Sequence, residues 1–200
     1  MQKNPNTMPS QRFSTELLLK AQSIKVVFFD IDGVMTDGGL LFTETGETIK
    51  RFNTLDGLGI KLLQKAGITP VVISGRDSAP LRTRLNALGV THIYLNTENK
   101  YPAAEESLAN LGLNWAQAAC MGDDWPDLPV LQASAFACAP LHAHVDVKAV
   151  ADYITETAAG SGAVREFCDL LLISSGKYAQ FLAEFQLQRA QTHNAKVNAI

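Results

Sequence analysis

The feature that most constrains this chain is an apolar tetrapeptide, Val26–Phe29, that runs directly into Asp30-Ile31-Asp32-Gly33. A short, wholly apolar run is typical of a strand buried on both faces of a parallel sheet. Two carboxylates separated by one residue follow it at the carboxyl end of the strand, where open α/β sheets bind ligands. Because these acids repel each other and lose hydration, the sequence predicts a compensating group, most simply a bound divalent cation.

Short apolar strands and amphipathic helices alternate along the rest of the chain. The further predicted strands are Val71–Ile73, His92–Leu95, Ala118–Met121, Ala135–Ala139 and Tyr153–Ile154. The predicted helices are Leu58–Lys65, Leu81–Leu88, Ala103–Leu111, Leu128–Ala133 and a C-terminal helical segment that starts at Gly162. This alternation predicts an α/β fold, a Rossmann-like three-layer parallel sheet with helices on both faces.

One segment departs from the alternation. Leu40–Thr43 and Thr48–Phe52 flank a polar turn, which predicts a β-hairpin projecting over about residues 39–53. No long insertion or linker interrupts the pattern, so we expect no cap domain. We predict an N-terminal arm and short helix over residues 1–23, one domain over 24–186, and a flexible polar tail over 187–200.

Composition excludes several classes of protein. The net charge of −3 and the pI of about 5.8 disfavour a nucleic-acid-binding face. The longest apolar runs are too short to span a bilayer, and the polar N-terminus lacks the apolar stretch of a secretory signal. Three widely spaced cysteines argue against a disulfide framework. We therefore expect a cytoplasmic protein with no membrane partner and no nucleic-acid partner.

Polar residues with complementary chemistry fall at the predicted strand ends or helix starts. They are Asp30, Asp32, Ser74, Lys100, Asp123 and Asp124. Carboxylates can hold a hard cation such as Mg²⁺, which keeps several waters besides. A hydroxyl and an ammonium add donors suited to a phosphate. Together they predict a phosphoryl-transfer site with a carboxylate nucleophile.

The same residues carry a resemblance to a known family. Asp30–Gly38 resembles the first motif of the haloacid dehalogenase superfamily of phosphatases, and Ser74, Lys100 and Gly122–Asp127 resemble its second, third and fourth motifs in order. The resemblance runs from about residue 24 to residue 173. Within it, the hairpin, Asp56–Ile60 and Gly162–Glu166 resemble the capless sugar-acid phosphatases that hydrolyse 3-deoxy-D-manno-octulosonate 8-phosphate in lipopolysaccharide sugar synthesis.

The resemblance implies a role for each core residue. Asp30 would attack phosphorus and become an aspartyl phosphate, while Asp32 would act first as general acid and then as general base. Asp30, the backbone carbonyl of Asp32 and Asp123 would bind Mg²⁺. Ser74 and Lys100 would hold phosphoryl oxygens. Asp124 and Asp127 would orient Lys100 or metal-bound water.

The resemblance also implies a homotetramer, in which the hairpins meet at the centre and a neighbour's C-terminal segment helps to close each site. The residues it assigns to substrate contacts are Asp37, Asn53, Arg76, Ser161 and Arg165. Ser161 stands where relatives often carry an arginine, and Leu55 stands where a basic residue is common. These two differences weaken the inference to one particular acidic sugar and leave the phosphatase core intact.

Blander interpretations exist for single residues. Asp-x-Asp-Gly alone is also a turn sequence, Ser74 alone a turn hydroxyl and Lys100 alone a surface lysine. Their joint order favours catalysis. The alternatives that stay open are a phosphatase of another sugar acid such as acylneuraminate 9-phosphate, a phosphoacceptor signalling domain, and a scaffold without catalysis. His142 and His144 lack zinc-like partners, so we expect them in loops.

Overall fold

The computed structural model describes the backbone of residues 12–197 and the side chains of residues 12–187. Most of the predicted N-terminal arm, residues 1–11, lies outside the described residues, as do residues 198–200. The strands are β1 Val26–Phe29, β2 Leu41–Thr43, β3 Gly46–Ile49, β4 Thr69–Ile73, β5 His92–Tyr94, β6 Ala118–Met121, β7 Phe136–Ala139 and β8 Tyr153–Ile154.

Six of these strands form one parallel sheet in the order β5-β4-β1-β6-β7-β8. β1 lies at the centre, and Phe29 is in register with Val72 of β4 and Met121 of β6. The predicted three-layer α/β architecture is therefore confirmed. The strand order reverses at β1, so the loops after β1, β4 and β6 open at one edge of the sheet.

Eight helices connect and cover the strands in the described part of the chain. They are α1 Thr15–Lys20, α2 Thr54–Lys65, α3 Ala79–Leu88, α4 Lys100–Leu111, α5 Leu128–Ala133, α6 Val145–Val150, α7 Ala163–Ser174 and α8 Tyr178–Val197. None of them is both long and apolar enough to cross a membrane, within the residues described.

Alternate residues of β1 supply two separate cores, one on each face of the sheet. Val27 and Phe29 pack with Phe136 and Phe167 on one side, where the Phe136 and Phe167 rings stack at 5.8 Å between centroids. Phe28 packs on the opposite side, 6.0 Å from the Trp115 ring. Each buried phenylalanine contributes roughly 1.5–3 kcal/mol through removal of its surface from water. All four residues of β1 are buried, which explains the unbroken apolar run.

The hairpin forms from β2 and β3, which pair antiparallel outside the main sheet. β3 begins at Gly46, so only Glu44 and Thr45 form the turn, and this is shorter than the predicted polar turn. Gly46 has a φ of +102°, a backbone conformation that glycine adopts without strain. The side chains of Leu41, Phe42 and Ile49 are exposed in the single chain.

Two helices were not predicted from the sequence patterns. His142 and His144 lie in the loop before α6, as predicted, and the His144 side chain caps this helix by accepting a hydrogen bond from the Asp146 N–H at 3.3 Å. α8 follows Gly176 and continues through Val197, so the backbone is helical over most of the predicted tail. The flexibility of that tail stays a prediction. The three cysteines are buried and carry free thiols.

Candidate active site

The loops after β1, β4 and β6 surround a cleft of about 520 Å³ at the carboxyl edge of the sheet. Most of the residues that line it have charged or hydroxyl side chains. The residues that line it are Asp30, Asp32, Gly38, Leu40, Ser74, Gly75, Arg76, Glu98, Lys100, Asp123, Asp124, Pro126 and Asp127. The structure thus brings together all seven residues predicted for the catalytic core, together with Arg76.

A lysine ties two of the carboxylates together at the floor of the cleft. Lys100 Nζ lies 2.8 Å from Asp30 Oδ1 and 2.6 Å from Asp127 Oδ1. Lys100 begins α4 and is only 6% exposed, so these ion pairs are shielded from water. Burial lowers the pKa of Lys100, but the attraction of Asp127 and Asp30 outweighs it and raises the pKa. The ammonium therefore stays charged, as its predicted phosphate-binding role requires.

Three carboxylates converge beside this lysine. One oxygen each of Asp30, Asp123 and Asp127 lies within 4.8 Å of the others. Burial and the charge of Asp127 raise the pKa of Asp30 to about 6. Burial and the charges of Asp30 and Asp127 raise the pKa of Asp123 to about 8. Such a cluster is unstable as three anions and suits a hard divalent cation with oxygen ligands.

Asp127 is held by the turn that follows β6. Residues Trp125–Asp127 form one turn of 3₁₀ helix, and Asp127 Oδ2 accepts hydrogen bonds from the N–H groups of Asp123 at 3.0 Å and Asp124 at 3.4 Å. Gly122 allows this closure, because a Cβ there would overlap the Asp127 side chain. Asp127 thus orients Lys100 directly. Asp124 caps the same turn through its bond from the Trp125 N–H at 2.8 Å.

Gly33 makes room for Asp123. Its φ is +83°, and a Cβ at this position would overlap the Asp123 carboxylate. We expect Gly33→Ala to displace Asp123 and to lower divalent-cation affinity at least about tenfold, besides a backbone cost of roughly 1–2 kcal/mol. Titration calorimetry with Mg²⁺ measures the affinity. Gly46→Ala is the matched control, since Gly46 also has a positive φ but its Cβ would meet nothing within 4 Å. Equal affinities in the two variants would contradict the prediction.

Ser74 and Arg76 form the side of the cleft after β4. Ser74 is 1% exposed, and its Oγ accepts a hydrogen bond from the Arg76 N–H at 3.2 Å. That bond leaves the Ser74 hydroxyl proton free to be donated to a ligand oxygen. The Arg76 side chain is half exposed, and its Nε lies 3.8 Å from Asp32 Oδ2.

Sequence reasoning missed Glu98 of the cleft lining, and it missed Lys50 and Glu47, which lie behind Asp32. Lys50, just after the hairpin, forms an ion pair with Asp32 Oδ1, and its Nζ lies 2.8 Å from Glu47 Oε1. The side chain of Lys50 is 2% exposed. The i,i+3 spacing of Glu47 and Lys50 was the one visible signal, and it indicates a surface pair rather than a contact with Asp32.

Two of the residues assigned to substrate contacts lie on the hairpin side, outside the cleft of the single chain. Asp37 is exposed and pairs with Arg51, with 2.6 Å between Oδ2 and Nη2. Asn53 caps α2 by accepting a hydrogen bond from the Leu55 N–H at 2.8 Å. Their roles toward a substrate stay predictions.

The other two lie at the start of α7. Ser161 is exposed on the loop before the helix. Arg165 donates from Nε to Asp169 Oδ1 at 2.7 Å and faces a separate apolar groove between α2, α7 and α8. Within one described chain, neither residue lines the cleft, so contact with its ligand would require a neighbouring subunit or a movement. Their assignment also stays a prediction.

A buried carboxylate fixes the loop that carries Ser161. Glu166 accepts hydrogen bonds from the N–H groups of Glu156 at 2.8 Å and Thr157 at 3.1 Å, and from the Tyr153 hydroxyl at 2.6 Å. Burial would raise the pKa of Glu166, but hydrogen bonds led by that of the Thr157 hydroxyl lower it. These bonds hold the loop in close contact with the loop that follows β1. A Cβ on Gly160 would lie only 2.6 Å from the Asp37 backbone nitrogen.

Comparison with known proteins identifies the family of the chain. A family model described as haloacid dehalogenase-like hydrolase matches residues 87–167. The chain is 38% identical over 164 residues to 3-deoxy-D-manno-octulosonate 8-phosphate phosphatase KdsC of Escherichia coli K12, covering 82% of this chain and 87% of that protein. It is 41% identical over 162 residues to KdsC of Haemophilus influenzae, covering 81% and 90%.

A solved structure extends the comparison to the fold. The 3-deoxy-D-manno-octulosonate 8-phosphate phosphatase of Moraxella catarrhalis, in complex with a magnesium ion, a phosphate ion and the sugar, superposes with a TM-score of 0.83. The two sequences are 35% identical, over 86% of this chain and 99% of that one. The relatives and the fold show that the chain belongs to the haloacid dehalogenase-like hydrolases, as a phosphatase of that family.

Proposed function

We propose that this protein hydrolyses 3-deoxy-D-manno-octulosonate 8-phosphate to the free sugar acid and inorganic phosphate. The observation that carries the proposal is the cleft in which Lys100 pairs with Asp30 and Asp127, with an Asp123 carboxylate oxygen within 4.8 Å of an oxygen of each. The names of the relatives support the substrate, because they cover most of this chain at 35–41% identity. The same names support a place in lipopolysaccharide sugar synthesis.

In the first half of the reaction, a carboxylate oxygen of Asp30 attacks phosphorus and forms an aspartyl phosphate. The bond between phosphorus and the sugar oxygen breaks, and its electron pair leaves with the sugar. Asp32 donates a proton to that oxygen, so the product departs as a neutral alcohol. Lys100 and the Ser74 hydroxyl hold phosphoryl oxygens during the transfer.

In the second half, a water molecule attacks the phosphorus of the aspartyl phosphate. Asp32, now ionised, takes a proton from this water, and the bond between Asp30 and phosphorus breaks. Inorganic phosphate leaves, and both carboxyl groups return to their starting states. Asp127 keeps Lys100 in place throughout by its 2.6 Å ion pair.

The donor set fits Mg²⁺. Oxygen ligands from Asp30, Asp123 and the Asp32 backbone carbonyl would hold it, and the raised pKa values of Asp30 and Asp123 indicate carboxylates that lack a sufficient counter-charge. Asp124 would orient the ion's hydration shell. The bound cation supplies charge neutralisation between an anionic nucleophile and an anionic ester.

The assembly and the compartment complete the proposal. We place the protein in the cytoplasm as a homotetramer, with the exposed Leu41, Phe42 and Ile49 of the hairpin at the subunit contacts. In that arrangement Ser161 and Arg165 would reach the substrate from a neighbouring chain. Sedimentation of the purified protein tests the tetramer.

The substrate is tested by phosphate release from a panel of esters, with Mg²⁺ and with a chelator. The panel includes 3-deoxy-D-manno-octulosonate 8-phosphate, acylneuraminate 9-phosphate and simple hexose phosphates. We expect kcat/KM to be highest for the first ester and lost with the chelator. A preference for another ester would retain the phosphatase and discard this substrate, and no turnover of any ester would refute the function.

Protons and the cation compete for Asp123. Because the pKa of Asp123 is about 8 without metal, Mg²⁺ must displace a proton below that pH. We expect the apparent dissociation constant to rise about tenfold for each pH unit between pH 8 and pH 6, and more steeply once Asp30 also protonates. Titration calorimetry in buffers of different ionisation enthalpy measures both the apparent dissociation constant and the number of protons released on binding. Asp123→Asn should flatten this dependence, and pH-independent binding by the wild type would contradict it.

A further inference from the structure

Lys50 occupies an unusual place for a lysine that follows an exposed hairpin. Its side chain is 2% exposed, whereas the hairpin residues Leu41 and Phe42 are more than half exposed. A buried ammonium is costly unless it is paired, and Lys50 is paired twice. Its Nζ contacts Asp32 Oδ1 and lies 2.8 Å from Glu47 Oε1.

The pairing uses one oxygen of Asp32 and leaves the other for chemistry. Oδ1 meets Lys50 and lies 3.5 Å from the Thr36 hydroxyl. Oδ2 is buried at the cleft and accepts no hydrogen bond from any residue that the structure describes, with Arg76 Nε still 3.8 Å away. An unpartnered carboxylate oxygen in a ligand cleft needs a partner from the ligand.

We propose that Lys50 is a positioning residue for Asp32, which fixes the carboxyl group by Oδ1 so that Oδ2 faces the leaving-group oxygen of the ester. This inference rests on the proposed phosphatase function and deepens it. Glu47 holds Lys50 from the far side, and it lies in β3, so the ion-pair chain runs from the hairpin to the acid. The hairpin thus takes part in the orientation of the acid as well as forming an edge of the molecule.

The leaving group distinguishes this role from a purely structural one. A sugar alkoxide needs the proton of Asp32 in order to leave, whereas p-nitrophenolate leaves without it. We expect Lys50→Met to lower kcat for the sugar phosphate about 10²-fold, the lower end of what a general acid contributes, with little change in KM. The rate of the initial p-nitrophenolate burst from p-nitrophenyl phosphate should remain within a few-fold of wild type.

Matched variants complete the experiment. Lys65→Met removes another ion-paired lysine, whose partner Glu184 lies far from the cleft. This variant should leave the rates with both substrates unchanged. Lys50→Arg should restore much of the lost rate by keeping the cation, and Glu47→Gln should show a weaker form of the same substrate-dependent loss. These two variants also serve if Lys50→Met does not fold.

Each outcome decides between the inference and its alternatives. Equal losses with the two esters, or a loss that thermal melting explains, would overturn the positioning role while the phosphatase function stands. Wild-type rates in Lys50→Met would also overturn it. A wild-type protein inactive on both esters would instead refute the proposed function itself.

Discussion

Asp30→Asn is expected to abolish phosphate release, with kcat lowered by at least about 10⁴-fold, because the amide is a far weaker nucleophile than the carboxylate. The shape of the side chain is conserved, so the loop after β1 should keep its conformation. Single-turnover assays with the preferred ester measure the residual rate, and acid-quenched protein should carry no phosphate.

The same substitution should spare the fold. Burial and the charge of Asp127 raise the pKa of Asp30 to about 6, against 3.8 for an ordinary aspartate, so ionisation of this group opposes folding. The stabilising proton is present at low pH and is lost as the pH rises through 6. At pH 7.5 the neutral amide should therefore melt no lower than wild type in the absence of metal.

Asp152→Asn is the control for Asp30→Asn. Asp152 also pairs with a lysine, Lys20, but at the opposite side of the molecule from the cleft. Its amide should leave the phosphatase rate unchanged. If Asp30→Asn released phosphate nearly as fast as Asp152→Asn, Asp30 would not be the nucleophile.

Lys100→Met should lower both activity and stability. Loss of a charged donor to the phosphoryl oxygens costs about 10²–10³-fold in kcat. The free energy of unfolding at pH 7.5 should fall by about 3–5 kcal/mol, because Asp30 and Asp127 lose the buried partner that they share. Urea denaturation and steady-state kinetics measure the two effects.

The pH dependence of that loss is specific. At pH 5 Asp30 can take up a proton in the folded chain, so the variant should regain part of its stability there. Lys20→Met is the comparison, since its partner Asp152 is on the surface and such pairs are worth about 0–1 kcal/mol. Equal destabilisation of the two variants would contradict the buried network.

The sequence predicted the bounds of an element well where its residue types are compatible with only one local structure. β6 and α5 match their predicted bounds, Ala118–Met121 and Leu128–Ala133, and β1 matches Val26–Phe29. Strands buried on both faces must be apolar throughout, so their ends are visible as the first polar residue. The acids of the catalytic core could be predicted because they come directly after the ends of these strands.

The sequence did not reveal side-chain contacts between segments that are brought together only by the tertiary fold. Lys50 reaches Asp32 across 18 residues because of the direction in which the hairpin leaves the sheet, and no periodic pattern encodes that direction. α8 places Tyr178, Phe181, Leu182 and Phe185 along one apolar groove, but most of its residues after Phe185 are polar, so the apolar stripe covers only its first turns. Asp37, Asn53, Ser161 and Arg165 lie outside the cleft of the single described chain, and their assignment to substrate contacts stays a prediction.

The central position of β1 has a consequence for how the protein must fold. Val26 pairs with Thr69 on one side and with Ala118 on the other, so the sheet closes only after more than half of the chain is available. Contacts this distant in sequence slow folding to milliseconds or longer, because loop closure precedes any gain from packing. During synthesis, the apolar β1 and its acids therefore emerge long before β6 can cover them. A ribosome-bound fragment that ends before residue 118 would leave the edge of β1 that faces β6 unpaired and prone to aggregation, and the catalytic edge would be among the last parts to assemble.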